Sequence, residues 1–226
     1  MRKYGGINRF MGRVNAVYRA INIMKLLKDS TKKEGLTLTE ISDRLEIPRS
    51  STYDIINTLK EEGIIKMKNK DLKTYDLGIA LYELGAAYLS RIDLSSVVRP
   101  YLTKLMEDLN TTTFLAVEDD GQIVYLDKVE PPTIGRTTLS LGTRKEMYNT
   151  SLGKAILSRY SEEKVRKILS KTSLKPKTET TITEVENLLE ELDRSRYRGY
   201  AIDDREDNDN VYCIGASILN ENEQPI

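Results

Sequence analysis

Apolar positions set out the first half of the chain. From Val14, the residues Val17, Ile21, Met24 and Leu27 recur at helical spacing and predict a first helix ending near Asp29. The polar stretch from Ser30 to Gly35 reads as a loop. Thr37 with Glu40 three residues on is a capping-box pair, opening a short helix with Ile41 and Leu45 on one face. Glu46, Ile47 and Pro48 interrupt it, because a residue before proline is pushed out of the helical region. A third helix is expected from about Arg49 to Glu62, with Thr52, Ile55, Ile56 and Leu59 inward and Gly63 as its stop. A β-type run from Ile64 to Lys68, a polar turn and a second run ending at Leu77 predict a hairpin.

Helix, short helix, tight turn, helix and hairpin is the winged helix-turn-helix order. Residues 79–91 are apolar over much of the helical circumference, as a helix with partners on several sides would be. Another helix follows at 94–110, and the pattern then becomes α+β. Strands are expected at 114–118, 123–128 and 136–141, the first two joined by a turn at Asp119, Asp120 and Gly121. Helices are expected at 152–160 and 162–170, and a longer one capped by Thr183 and Glu186 and ended by Gly199. Strands at 200–202 and 211–219 close the chain. The domain reading is a flexible basic arm at 1–13, a winged helix at 14–77, a linker and dimerisation helix at 78–92, and a second domain at 93–226.

Charge sharpens that division. Residues 1–78 hold 16 Lys/Arg against 10 Asp/Glu, leaving 19 and 25 behind them from totals of 35 each. A basic front and an acidic back direct only the front towards an anionic polymer. A single cysteine, Cys213, rules out an internal disulfide, and with no histidine the usual zinc site cannot form. No cofactor is expected. No apolar run approaches the roughly 20 residues needed to cross a bilayer, and no secretory leader is recognisable, so a cytoplasmic location with no membrane partner is expected.

The outward face of the third helix would carry Arg49, Ser50, Ser51, Tyr53, Asp54, Asn57 and Lys60, with Thr39 on the helix before it. Arg and Asn have the bidentate geometry that reads guanine and adenine, whereas Ser and Tyr reach phosphates or bases. Lys66, Lys68, Lys70 and Lys73 on the hairpin could track a phosphate backbone. The same residues would also suit an ordinary solvated face.

These segments resemble the IclR family of bacterial and archaeal regulators. The resemblance is carried by residues 38–53 (LTEISDRLEIPRSSTY), 59–63 (LKEEG), 75–78 (YDLG) and Leu84 with Gly85. Further on it is carried by 123–130 (IVYLDKVE), 150–157 (TSLGKAIL) and 198–206 (RGYAIDDRE). It implies a winged-helix domain, a linker helix pairing with another subunit, and a GAF-like α/β effector-binding domain. It also implies homodimers or tetramers on palindromic operator DNA, with the choice between repressor and activator left open. Asp54 stands where relatives usually carry a basic residue, and an acid there either opposes phosphate or accepts from cytosine. The chain ends at Gln224, Pro225 and Ile226, where relatives usually continue, so the resemblance implies a C-terminally shortened effector domain.

By the same resemblance, a small organic acid or aromatic compound would be held by Ser151, Leu152, Asp203, Val211 and Cys213. Backbone N–H groups at the start of the 152–160 helix could receive its carboxylate. Each residue has a plainer use: Ser151 as a helix cap, Cys213 as a small core residue, Asp203 in an acidic surface loop with Asp204, Glu206, Asp207 and Asp209. Two other functions stay open. One is a DNA-binding regulator whose second domain only assembles subunits. The other is an enzyme, against which stand the missing histidine and the lack of a glycine-rich phosphate loop.

Overall fold

A computed structural model describes residues 14–91, 94–132 and 137–226. The basic segment 1–13 and Arg136 lie outside the described residues. The chain forms two compact units, Met1–Ile92 and Asp93–Ile226.

The first unit runs α1 (Asn15–Lys28), β1 (Leu36–Thr37), α2 (Leu38–Leu45), α3 (Arg49–Glu61), β2 (Ile65–Asn69), β3 (Thr74–Leu77) and α4 (Ala80–Arg91). Ile23, Leu26 and Leu27 of α1 meet Ile41 of α2, Ile56 of α3 and Leu36, Ile65 and Tyr75 of the sheet in one core. Ile55 and Leu59 pack partly buried against it, as the helical spacing requires. The hairpin is joined by a strand not expected from the sequence, between the loop at 30–35 and α2: β1 pairs antiparallel with β3, Leu36 opposite Tyr75, in the order β1-β3-β2. At the base of the wing, the Gly78 N–H donates to the Ile64 carbonyl at 2.8 Å. A side chain there is excluded, since a Cβ on Gly78 would lie 2.0 Å from the Gly63 oxygen.

α4 leaves Tyr82, Leu84 and Tyr88 exposed, and Ile79 just before it. The all-round apolar helix predicted here therefore has no covering for that surface among the described residues of a single chain.

The second unit runs α5 (Leu94–Leu109), β4 (Thr113–Asp119), β5 (Gln122–Val129), β6 (Arg144–Glu146), α6 (Ser151–Leu157), α7 (Glu162–Leu169), α8 (Val185–Arg198), β7 (Ala201–Asp204) and β8 (Tyr212–Gly215). β4, β5 and β6 form an antiparallel sheet in that order, and β7 and β8 a separate hairpin. Period-2 alternation sorts the sheet residues to two faces. Leu115 and Leu126 meet Val98 and Leu102 of α5, while Ile123 and Tyr125 face α6, α7 and α8. A bulge between Leu115 and Ala116 breaks the alternation, and Asp127 is buried beside Leu126, in ion contact with Arg99 of α5. On its outer side α5 exposes Val97, Tyr101, Leu105 and Leu109, a stripe at four-residue spacing.

Three local expectations need correcting. The third strand lies at Arg144–Glu146, and the described part of the 136–141 segment is irregular. Its short apolar content had imitated a strand. Thr183 does not cap α8: Glu184 occupies the cap position without a side-chain bond, and Glu186 instead forms a two-point pair with Arg166. Ser151 is not the cap of α6. Thr150 is, accepting from the Gly153 N–H at 3.2 Å.

Candidate DNA-reading face and buried polar cluster

The turn between α2 and α3 is built by side chains close in sequence. Thr37 and Glu40 bond each other's backbone N–H groups, closing the capping box at 3.2 and 2.8 Å. Lys32 also donates to Glu40, and these bonds hold its carboxyl down at about 2. α2 stops because Glu46 turns left-handed (φ 53°), and the Ser42 hydroxyl donates to the Ile47 carbonyl at 2.7 Å. Pro48 then opens α3 from an extended conformation.

Arg49, Ser50, Tyr53, Asp54 and Lys60 are exposed along one side of α3, with Asn57 half-buried between them and accepting from Lys60 at 3.5 Å. Ser51 is half-buried at the margin of that face, and Thr39 is exposed on α2. On the wing, Lys66, Lys68, Lys70 and Lys73 are all exposed. Lys68 differs from the others in holding Asp76 at 2.7 Å. Partial burial pushes the Asp76 carboxyl up, but Lys68, the Leu77 N–H and nearby Lys66 together hold it below the usual carboxylate range. At the tip, the Asn69 side chain accepts from the Asp71 and Leu72 N–H groups, and Lys73 takes a left-handed conformation. The helix and the wing thus offer polar and cationic groups that a DNA duplex could meet in a groove and along its phosphates.

In the second unit the polar groups converge from distant segments. Gly153 allows α6 to lie against Met147, whose Cα and oxygen would be 2.3 Å from any added Cβ. That approach sends Lys154 fully inside, where it meets the buried Glu206. Asp203 on β7 stands opposite Cys213 on β8, is buried, and accepts the Glu206 N–H at 2.8 Å. Burial raises the carboxyls of Asp203 and Glu206, in the latter case against the pull of Lys154. Burial, with Asp203 and Asp207 nearby, pushes the Cys213 thiol up to about 11. Asp207 behaves the other way. Lys145 and Lys177 both contact it, and together they overcome its burial and hold it charged. Glu206 Oε2 is buried with no hydrogen-bond partner among the described residues.

A strap at 175–181 lies over this cluster. Thr178 and Thr181 donate to the Glu206 carbonyl, Thr180 to the Asp204 carbonyl, and Tyr148 to the Lys175 carbonyl.

Of the five residues expected to hold a ligand, Asp203 and Cys213 come together, and buried Ser151 and half-buried Leu152 begin the helix that carries Lys154. Val211 sits apart, exposed where the β7–β8 turn closes on Arg205. The idea of a carboxylate on the α6 N-terminus meets an obstacle. Thr150 already takes one N–H, and Gly215 lies so close to Ser151 and Leu152 that a Cβ there would fall within 2.8 Å of their backbone. The acidic surface loop expected at 203–209 is only partly exposed, because Asp203 and Glu206 are buried and only Asp204 and Asp209 are in the open. Lys145, Lys154 and Lys177 escaped the sequence reading. Lys154 had a usable signal: a lysine inside an apolar helix needs a buried counter-charge.

Among the described residues no helix is long and apolar enough to cross a membrane. Comparison with known proteins agrees with the two-unit division. The IclR helix-turn-helix domain matches residues 16–67, and the bacterial transcriptional regulator IclR C-terminal domain matches 86–226. The acetate operon repressor of Salmonella typhimurium is 29% identical over 216 residues, covering 95% of this chain and 78% of that protein. The crystal structure of the Thermotoga maritima IclR superposes with a TM-score of 0.75 at 30% identity, over 94% of this chain and 84% of that one. An IclR homologue from Microbacterium hydrocarbonoxydans, complexed with 4-hydroxybenzoate, has the same fold, with a TM-score of 0.80 at 20% identity over 93% and 85% of the two chains. With both domain matches, in order, over most of its length, the chain belongs to the IclR family of transcriptional regulators.

Proposed function

We propose that the chain is a non-catalytic regulator that binds a specific operator through α3 and the wing, and that a small organic acid or aromatic compound at the buried cluster modulates this binding. The observation that carries the DNA half is the exposed Arg49, Tyr53 and Asp54, with half-buried Asn57 among them, beside a wing bearing four lysines. Base-edge contacts would come from the helix and phosphate contacts from the wing. The exposed apolar surfaces of α4 and α5 support a homodimer or higher assembly, whose two-fold axis would match a palindromic operator.

For the ligand, the cluster supplies cations and acceptors side by side. A ligand carboxylate would compete with Asp207 for Lys145 and Lys177, while a ligand hydroxyl could donate to the orphaned Glu206 oxygen. Ser151, Leu152, Asp203 and Cys213 would form part of the wall. The relative complexed with 4-hydroxybenzoate carries both such groups on its ligand. Ligand binding would reach the operator by altering the spacing of paired winged helices through α4.

The test is a titration of the protein into a labelled duplex from its own upstream region, beside a scrambled duplex, at two salt concentrations. Tight binding to the native duplex alone, weakening steeply with salt, is expected. Absence of binding to either duplex at low salt would sink the DNA reading. A panel of small acids and phenols that shifts neither the curve nor the melting temperature would favour a second unit used only for assembly, as its exposed helix faces allow.

A further inference from the structure

α6 has two ends, and only its first turn belongs to the cluster described above. Beyond its other end, the start of α7 and the flank of α8 enclose a cleft of about 550 Å³, within the range of small-molecule sites. Val165 and Leu192 back it from within the core, each sealed at 1% exposure, and half-buried Leu189 is the apolar side chain it reaches. Arg196 stands at the rim, donating to the Ser158 carbonyl at 2.8 Å and to Asp193 at 2.7 Å. Glu162, the other acid of the lining, is held by Arg166 at 2.7 Å. Both acids are therefore already neutralised.

Arg159 is the exception. Its guanidinium makes no hydrogen bond or ion pair with any described residue, and its Nε is sealed from water without an acceptor. The inner edge of the side chain is thus held against the cleft wall, while its terminal nitrogens are open to the cleft with no partner among the described residues. A guanidinium in that state matches a carboxylate, which its planar fork can bind at two points. The apolar side selects what the carboxylate should carry.

We propose that this cleft is a second ligand site, separate from the buried cluster, for a monocarboxylate with a compact apolar body, held by Arg159 and packed on Leu189. It differs from the first site in chemistry as well as place. Here one cation without a protein partner among the described residues stands beside Leu189, whereas the cluster interleaves three lysines with three acids.

Benzoate serves as the probe, titrated into the full chain with isoleucine, leucine and valine methyl groups labelled for NMR. The methyl signals of Val165, Leu189 and Leu192 should shift and saturate. Arg159→Gln should weaken that binding at least tenfold, Arg159→Lys less, and Lys177→Gln, which alters only the buried cluster, should leave it unchanged. Melting curves of the two Arg159 variants establish that they are folded. Shifts confined to residues 201–215, or equal affinity in Arg159→Gln, would overturn the proposal. So would cleft signals that depend on protein concentration and ignore benzoate, since a second copy of the chain would then fill the cleft.

Discussion

Lys154 Nζ bonds the carboxylate of Glu206, 52 residues further along the chain, and both side chains are sealed from solvent at 1% and 7% exposure. The pair joins the first turn of α6 to the loop after β7 and so holds the helix to the hairpin. Removing one partner strands a buried charge, which costs about 3–5 kcal/mol. Lys154→Met and Glu206→Leu should each lower the urea midpoint of the second unit markedly, and the double variant should recover most of the loss. Additive losses in the double variant would show that the two groups do not act as a pair.

Acid should weaken the winged helix through Glu40. Its carboxyl titrates near 2 in the fold, below its ordinary 4.5, so its contribution is fully present above pH 4.5. That contribution is lost as pH falls through the window from about 4.5 to about 2. Glu40→Gln should melt lower than the parent at pH 6, and the difference should close towards pH 2. A difference independent of pH would place the effect elsewhere than in this ionisation.

The four wing lysines should not be equivalent on DNA. Lys70→Ala or Lys73→Ala should each lower the salt slope of operator binding by about 1, whatever the sequence bound. Lys68→Ala should do less, because Asp76 already holds that ammonium. Asp76→Asn should then tighten binding by freeing it, and a loss of affinity in that variant would contradict the assignment. On α3, Asn57→Ala should relax specificity at single operator positions by about 1–3 kcal/mol.

Asp207 occupies both Lys145 and Lys177, as a bound carboxylate would. Asp207→Asn should free the two lysines and raise affinity for small organic acids, read as a larger melting shift at equal ligand concentration. If the variant responds less than the parent, Asp207 itself is part of the ligand's seat.

Cys213, with its thiol pushed up to about 11, should react slowly with iodoacetamide at pH 7.5 in the folded protein and rapidly in urea. Prompt alkylation of the folded chain would mean that the β7–β8 hairpin opens readily.

The winged helix was legible because its signals are local. Thr37 and Glu40 lie three residues apart, Ser42 reaches Ile47 within the same turn, and the apolar spacing of α1 and α3 needs only 3.6-residue periodicity. The two-residue strand β1 was not, since its pairing with Tyr75 and Thr74 crosses some forty positions and leaves no periodic trace. β6 was misplaced for a related reason. Three residues, all of them charged, carry no strand pattern, and only pairing with β5 makes them one.

Sequence alone determined the order of the helices, the caps at α2 and Gly199, the basic face and the domain families, because these depend on neighbours along the chain or on family-wide spacing. Tertiary structure decided which acids are buried, which lysines answer them, and that Arg159 is left without a partner among the described residues. Burial and charge pairing depend on what the fold brings within a few ångströms, and for Lys154 that neighbour is 52 residues away.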